Sequence, residues 1–374
     1  MELFKTYKLW PIEPVKASGC YVWDTEGQKY LDFYGGHAVI SIGHCHPTYV
    51  SMLESQLKKI GFYSNAVKNS LQKQLANELG HQCGYNDYNL FLCNSGAEAN
   101  ENAFKLASFH TGRKKILALG RAFHGRTSGA VAATDNPAIQ SEFNKTNNVE
   151  FTPLNDIDSV QSKLATKEFA AVIIEGIQGV AGIFEASSEF WQATRKACDE
   201  SGTVLIADEI QSGYGRSGKF FAHQFFGIKA DIISVAKGIG NGFPMGAILI
   251  SDIFKARYGM LGTTFGGSHM ACTAALAVLK VIKDEKLIEN AAEIGAYLME
   301  NLKGNPAIKD LRGKGLMIGI ELKDEYIDLR DKLLFEKHIF TGGAAKNVIR
   351  LLPPLMIKKA EADIFLNAFN SLTK

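Results

Sequence analysis

Between about residue 90 and residue 250, short apolar runs rich in β-branched residues alternate with stretches of helical periodicity. The seven runs read NLFLC, KKILALG, NNVEFTPL, FAAVIIEG, GTVLIADE, ADIISVAK and GAILIS. Continuously apolar strands separated by helices are typical of a mostly parallel sheet that helices cover on both faces. The pattern therefore predicts an α/β fold around this sheet. Ligands bind such sheets beyond the carboxyl ends of the strands.

The two ends of the chain have a different pattern. Near the start, GCYVWDTEGQKYLDFYGG predicts an antiparallel hairpin around the turn DTEGQ. From about residue 270 onward, a long helical periodicity is followed by the β-rich segments LRGKGLMIGIEL and NVIRLLPPLMI. We therefore predict a smaller α+β domain built from residues 1–45 and 266–374, and a large domain over residues 46–265.

Composition narrows the class of protein. The 374 residues are 46% hydrophobic and 21% charged, with net charge +2, which indicates a globular protein with an ample core and gives no reason to expect nucleic acid as a partner. Six scattered cysteines without Cys-x-x-Cys spacing favour reduced thiols over a disulfide framework or a zinc site. The start, MELFKTYKLWPIEP, lacks a secretory signal pattern. We expect a cytoplasmic protein without a metal or a membrane partner.

The segment CNSGAEAN follows the first apolar run of the predicted sheet. Asn94 or Ser95 can cap the helix that follows, and Gly96 lets its backbone approach a ligand closely. Free N–H groups at the positive end of a helix bind phosphate well. The alternative, plain helix capping without a ligand, stays open at this point.

The segment LIADEIQSG ends an apolar strand with two acids, Asp208 and Glu209. Neighbours on a strand point to opposite faces, so one acid is expected in the pocket and the other behind it. A carboxylate there can bind a metal, act as a base or hold a proton on a heterocyclic nitrogen. A solvated turn or an ion pair is the alternative.

Lys237 follows the run ADIISVA and precedes the glycine-rich turn GIGNG. Burial would lower the pKa of its amine and free it to attack a carbonyl, whereas a side chain that reaches solvent is the simpler alternative. The glycine spacing is a poor dinucleotide-binding pattern. A phosphate site, a carboxylate for a ring nitrogen and a desolvated lysine together suit pyridoxal phosphate, which makes the conjunction more specific than any one motif.

The chain resembles the class III aminotransferases, which are pyridoxal-phosphate enzymes of fold type I, and within them the acetylornithine aminotransferase family. The resemblance runs nearly end to end and rests on segments that stand in the family order. These segments are GCYVWDTEGQKYLDFYGGHAVISIGHCHP, LCNSGAEANENAFKLA, AFHGRTSGA, LIADEIQSGYGRSGKFFA, DIISVAKGIGNGFPMGA, GTTFGGSHMAC and VIRLLPPL. It implies a PLP-dependent transferase fold.

The resemblance also assigns roles around the cofactor. It implies that Lys237 binds the cofactor covalently and moves a proton, that Asp208 keeps the ring nitrogen protonated, and that Phe123 stacks on the ring. His124 either contacts the cofactor or supports its loop. The remaining assignments are Ser95, Gly96 and Ala97 at the phosphate, Ile210 and Gln211 at the ring, and Thr264 at the phosphate of the partner subunit's cofactor. A homodimer with shared active sites follows from the last assignment.

Substrate contacts follow from the same resemblance. Arg126 matches an arginine that binds the substrate carboxylate, Thr263 stands at a substrate contact, and Arg350 matches the arginine that holds the α-carboxylate of 2-oxoglutarate or glutamate. The implied reaction transfers the δ-amino group of an N2-acylornithine to 2-oxoglutarate. It gives N-acylglutamate 5-semialdehyde and glutamate, and serves arginine biosynthesis or, in some relatives, catabolism.

One segment departs from the family pattern. Where the family reads Glu-Pro-x-Gln-Gly-Glu-Gly-Gly, this chain reads EGIQGVAG, so Val180 replaces the second glutamate. In relatives that use ornithine, that glutamate pairs with the arginine that matches Arg350. Without it, we expect Arg350 to stay unmasked and N-acylated ornithine to be preferred over free ornithine, with the succinyl compound a serious alternative to the acetyl one.

Two rival functions remain at this stage. One is another pyridoxal enzyme on the same fold, such as an ornithine or 4-aminobutyrate aminotransferase. The other is a non-catalytic interaction protein that has kept the fold.

Overall fold

The computed structural model describes residues 1–373, which form fourteen strands and eleven α-helices. The strands are β1 (Pro14–Ser18), β2 (Tyr21–Asp24), β3 (Lys29–Phe33), β4 (Asn89–Cys93), β5 (Lys115–Leu119), β6 (Val149–Thr152), β7 (Phe169–Glu175), β8 (Val204–Asp208), β9 (Ile232–Val235), β10 (Gly246–Ile250), β11 (Ile308–Lys314), β12 (Met317–Leu322), β13 (Ile339–Ala344) and β14 (Val348–Leu351).

The helices alternate with the strands in the middle of the chain and dominate after residue 268. They are α1 (Gly35–Ala38), α2 (Pro47–Leu57), α3 (Ser70–Cys83), α4 (Gly96–Thr111), α5 (Ser128–Ala132), α6 (Ile157–Ala165), α7 (Ser188–Ser201), α8 (His269–Asp284), α9 (Leu287–Leu302), α10 (Leu329–Phe335) and α11 (Lys359–Leu372). None of the helices within residues 1–373 is long and apolar enough to span a bilayer.

The central sheet has seven strands in the order β4-β10-β9-β8-β7-β5-β6. All neighbours are parallel except β10, which runs antiparallel to both β4 and β9. All seven residues of β7 and all five of β8 are buried, because helices cover both faces. The seven predicted strands and the mostly parallel sheet are therefore confirmed.

Alternation along β8 shows how the two faces are filled. Ile206 packs in a cluster with Ala103 of α4, while Leu205 packs in a second cluster with Trp191 of α7. Successive side chains of a strand point to opposite faces, so α4 and α7 cover opposite sides of the sheet. The same alternation sends Asp208 and the residue after it in different directions.

The second sheet combines strands from both ends of the chain, in the order β1-β2-β3-β13-β14-β12-β11. It is antiparallel apart from the β3–β13 pair, and the predicted β2–β3 hairpin is present. Helices α9 and α10 pack against it, and α11 contacts both helices. α8 packs along α2 and α3. The exact domain boundaries at residues 45 and 265 stay predictions.

Candidate active site

A cavity of about 300 Å³ opens where the carboxyl ends of β7, β8 and β9 meet the start of α4. This is the edge at which parallel sheets bind ligands. Nine of the ten residues predicted to surround the cofactor line it, namely Ser95, Gly96, Ala97, Phe123, His124, Asp208, Ile210, Gln211 and Lys237. The tenth, Thr264, lies on an exposed segment outside the cavity.

The start of α4 combines helix capping with free backbone donors. Ser95 has an extended backbone, and its Oγ accepts a hydrogen bond from the N–H of Glu98 at 3.2 Å. The N–H groups of Gly96 and Ala97 have no acceptor within the described chain. A Cβ at residue 96 would lie 2.9 Å from side-chain atoms of Ile210, so only glycine permits this packing. Capping and an anion site therefore coexist here.

Asp208 is buried at the end of β8 and holds a fixed orientation. Its Oδ2 accepts hydrogen bonds from Nδ2 of Asn100 at 2.9 Å and from Nδ1 of His124 at 2.7 Å, and its Oδ1 accepts one from the N–H of Ile210 at 3.0 Å. His124 thus supports this carboxylate, in addition to lining the cavity. Three donors hold this carboxylate in one orientation in the cavity wall.

Glu209 lies on the other side of the strand, as its position next to Asp208 predicts. Its carboxylate accepts hydrogen bonds from Nδ1 of His223 at 2.7 Å and from Oγ of Ser212 at 2.7 Å. It does not line the cavity. The sequence expectation that the two acids occupy different environments is confirmed.

Lys237 follows β9 and begins a 3-10 turn that ends at Ile239. Its backbone has φ +49°, a conformation that costs a non-glycine residue free energy and recurs at functional sites. Burial in the cavity wall lowers the pKa of the amine, and the carboxylates of Asp208 and Glu175 partly offset this effect. Its Nζ has no hydrogen-bond partner within residues 1–373. The amine therefore faces the cavity in a state suited to carbonyl attack.

Glu175 is a cavity residue that received no role from the sequence. It ends β7 directly opposite Asp208, and its carboxylate accepts hydrogen bonds from the N–H groups of Phe123 and Gly179, both at 3.0 Å. Burial raises the pKa of Glu175 to about 7. A polar residue at a strand end was the available signal, because VIIEGIQG has the same pattern as the segment of Asp208.

The three residues predicted to bind substrate lie in different environments. Arg350, on β14, is only 4% exposed and donates from Nη1 to the carbonyl of Gly179 at 3.1 Å. Val180 is 43% exposed and lines the cavity. Arg126 is exposed, and Thr263 lies outside the cavity, where its Oγ1 accepts a hydrogen bond from Nδ2 of Asn94 at 3.1 Å. Their substrate contacts stay predictions.

Residues 5–372 match the family model described as aminotransferase class-III. The chain belongs to the class-III aminotransferases. The acetylornithine aminotransferase of Bacillus subtilis (strain 168) is 42% identical over 368 residues, which cover 96% of this chain and 94% of that relative.

Two solved aminotransferase structures resemble this one closely. One is the ornithine aminotransferase from Toxoplasma gondii, which has partial occupancy of PLP at its active site. Its TM-score is 0.92 at 28% identity, and the match covers 99% of this chain and 91% of that chain. Acetylornithine aminotransferase from Elizabethkingia anophelis has a TM-score of 0.85 at 28% identity and covers 99% of this chain and 95% of its own. These matches confirm the predicted fold.

Pyridoxal 5'-phosphate is the cofactor of class-III aminotransferases, and the cavity fits it. The free N–H groups at the start of α4 suit a phosphate, and the carboxylate of Asp208 suits a protonated ring nitrogen. The unpaired amine of Lys237 suits an aldehyde, and Phe123 supplies an aromatic face in the cavity lining. Each of these groups thus matches one part of the cofactor.

Proposed function

We propose that this aminotransferase transfers the δ-amino group of an N2-acylornithine, with acetyl as the favoured acyl group, to 2-oxoglutarate. The products are N-acylglutamate 5-semialdehyde and glutamate, as in arginine biosynthesis. The observation that carries the proposal is the meeting of Lys237, Asp208 and the start of α4 in one cavity. Full-length relatives at about 40% identity that are acetylornithine aminotransferases support the choice of donor.

The roles of the chain's own residues follow from their positions. When bound, pyridoxal phosphate supplies a carbonyl conjugated to an electron-accepting ring. Lys237 takes the proton from the δ-carbon of the donor, and burial, which lowers the pKa of its amine, favours this role. Asp208 keeps the ring nitrogen protonated, and Asn100 and His124 hold its carboxylate in place. Gly96 and Ala97 bind phosphate through backbone N–H groups.

The surroundings of Arg350 favour an acylated donor. Within residues 1–373, its guanidinium donates only to the neutral oxygens of Gly179 and Gln211. The resemblance to the family implies a glutamate at position 180, where this chain has Val180. The unmasked cation disfavours free ornithine, whose α-amine is also cationic, relative to a donor in which an amide replaces that amine. Ornithine and 4-aminobutyrate are therefore the weaker donors in this proposal.

A succinyl group is the second candidate, and the cations around His37 favour it. Partial burial, together with the cations Arg350, Lys237, Arg330 and Arg126, lowers the pKa of His37 to about 4. This cation-rich region suits a donor whose acyl group carries a second carboxylate.

The assembly is part of the proposal. Phe62 and Phe265 pack with ring centroids 5.4 Å apart and are 44% and 63% exposed. An exposed apolar surface of this kind marks an interaction site, and Thr264 stands beside it. A homodimer in which Thr264 reaches the partner subunit's cofactor would cover this surface. The domain division and the cytoplasmic location remain predictions alongside it.

A panel of amino donors tests the proposal. The purified holoenzyme is incubated with 2-oxoglutarate and with acetylornithine, succinylornithine, ornithine or 4-aminobutyrate, and glutamate formation is measured. One of the acylornithines should give the highest kcat/KM, and Lys237→Ala should abolish turnover with every donor. A clear preference for free ornithine would contradict the proposal.

A further inference from the structure

The guanidinium of Arg350 is buried beside the cavity without an anionic partner. Its Nη1 donates to the carbonyl of Gly179 at 3.1 Å and to Oε1 of Gln211 at 3.4 Å, and its Nε has no partner. A buried cation is costly unless it is paired, and burial lowers the pKa of Arg350 accordingly. The two oxygens that it does contact are neutral.

The amide of Gln211 is held in one orientation by its neighbours. Its Nε2 donates to the backbone carbonyl of His37 at 3.2 Å, which leaves Oε1 directed at Arg350. A Cβ at Gly179 would lie 1.9 Å from this Oε1, so the amide can occupy its place only because residue 179 is glycine. Gly179, Gln211 and Arg350 therefore form one fitted group.

The reaction requires one pocket to accept two chemically different ligands. In 2-oxoglutarate, the carbon that receives the amino group carries a carboxylate. In an acylornithine, the δ-carbon that gives up the amino group carries none. An arginine beside the reacting carbon must therefore bind a carboxylate in one half of the reaction and have another partner in the other half.

We propose that Gln211 is a specificity-determining residue that serves Arg350 as a neutral partner whenever no substrate carboxylate is present. This inference rests on the proposed function and extends it to the way in which both substrates share a site. A neutral amide oxygen satisfies an N–H group without cancelling the charge, so 2-oxoglutarate can displace it. A carboxylate in its place would form an ion pair with the guanidinium and compete with the substrate carboxylate.

Gln211→Glu tests the proposal, with Gln211→Met as the neutral control. The measured quantity is kcat/KM for 2-oxoglutarate divided by kcat/KM for the amino donor, because any shared effect on the cofactor cancels in this ratio. The ratio should fall about tenfold in Gln211→Glu, because 2-oxoglutarate must displace the new ion pair. Gln211→Met should change it less. An unchanged ratio in Gln211→Glu, or an equal fall in Gln211→Met, would overturn the proposal.

A second pair of variants changes the charge near Arg350 at another residue, Val180. Val180 is exposed and follows the carbonyl that Arg350 contacts, so Val180→Glu places a carboxylate nearby while Val180→Gln places a neutral side chain of the same size. Only Val180→Glu should lower the ratio. If it does not, charge next to Arg350 does not set the balance between the substrates.

A direct measurement of 2-oxoglutarate binding tests this proposal independently of which amino donor the enzyme uses. Calorimetry with 2-oxoglutarate and the pyridoxal form of the holoenzyme, which has no amino group to transfer, gives a Kd without turnover. We expect the Kd to rise about tenfold in Gln211→Glu and in Val180→Glu relative to their neutral counterparts. Equal Kd values would overturn the inference, whereas failure of the acylornithines as donors would overturn only the proposed function.

Discussion

Asp208 and Glu209 are neighbours at the end of β8, and each carboxylate lies 2.7 Å from a histidine nitrogen. On the Glu209 side, His223 also bonds through Nε2 to Oη of Tyr85 at 2.6 Å, so the chain of polar groups is complete. On the Asp208 side, Nε2 of His124 is buried without a partner. Two similar carboxylate–histidine contacts therefore belong to different networks.

The difference separates a structural network from a functional one. A buried polar network in which every group is paired stabilises the fold, whereas buried unpaired groups call for a further explanation. Oδ1 of Asn100, whose Nδ2 donates to Asp208, is a second buried atom without a partner in this network. The Asp208 network lies in the cavity wall and contains unpaired atoms. The Glu209 network lies away from the cavity, and its polar side chains are paired.

The largest expected effect is the loss of turnover in Asp208→Asn. Removing the charge that stabilises a protonated ring nitrogen should lower kcat by about 10²- to 10³-fold, the usual cost of one electrostatic contact in the transition state. Steady-state kinetics measure it, and urea unfolding of the apo-protein should show a smaller loss of stability than in Glu209→Gln. A kcat within a few-fold of wild type would remove Asp208 from the chemistry.

Glu209→Gln should show the reverse pattern. It weakens the buried hydrogen bonds that the carboxylate accepts from Nδ1 of His223 and Oγ of Ser212, which should lower the free energy of unfolding by about 3 kcal/mol. Because Glu209 does not line the cavity, kcat of the folded enzyme should fall far less than in Asp208→Asn. If turnover falls as far as in Asp208→Asn, the two sides of β8 do not have separate roles.

Glu175 extends the comparison to pH. Its pKa is about 7 in the folded apo-protein against the ordinary 4.5, so the folded state binds more protons between these values and wild-type stability falls as pH rises through them. Glu175→Gln lacks this effect. Relative to wild type, the free energy of unfolding of the variant should rise by roughly 2 to 3 kcal/mol between pH 4.5 and pH 7, with no further rise above pH 7. If the unfolding free energies of wild type and variant run parallel with pH, burial does not raise the pKa of Glu175.

The smallest expected effect concerns the far end of the Glu209 network. His223→Phe and Tyr85→Phe each leave a buried polar atom unpaired and should cost about 1 to 3 kcal/mol of unfolding free energy. The double variant should cost less than the sum, by about 1 kcal/mol, because the pair interacts directly. Strict additivity in urea unfolding would mean that the 2.6 Å contact contributes nothing to stability.

Much of this architecture could be predicted from local patterns. The strand period alone places Asp208 and Glu209 on opposite faces, and a lysine at the end of an apolar run leads to Lys237. The Tyr85–His223 contact could not be predicted, because it joins residues 138 positions apart that no local motif connects. The Gln211–Arg350 contact likewise depends on how the two sheets meet.

The most direct test of the site is the identity of the residue that holds the cofactor. Borohydride reduction of the holoenzyme, followed by proteolysis and mass spectrometry, fixes the cofactor on its lysine. The cofactor's mass should appear on the peptide that contains Lys237 and on no other, and Lys237→Ala should carry none. Label on a different lysine, or none on the wild-type enzyme, would contradict the assignment of Lys237 and the active site built around it.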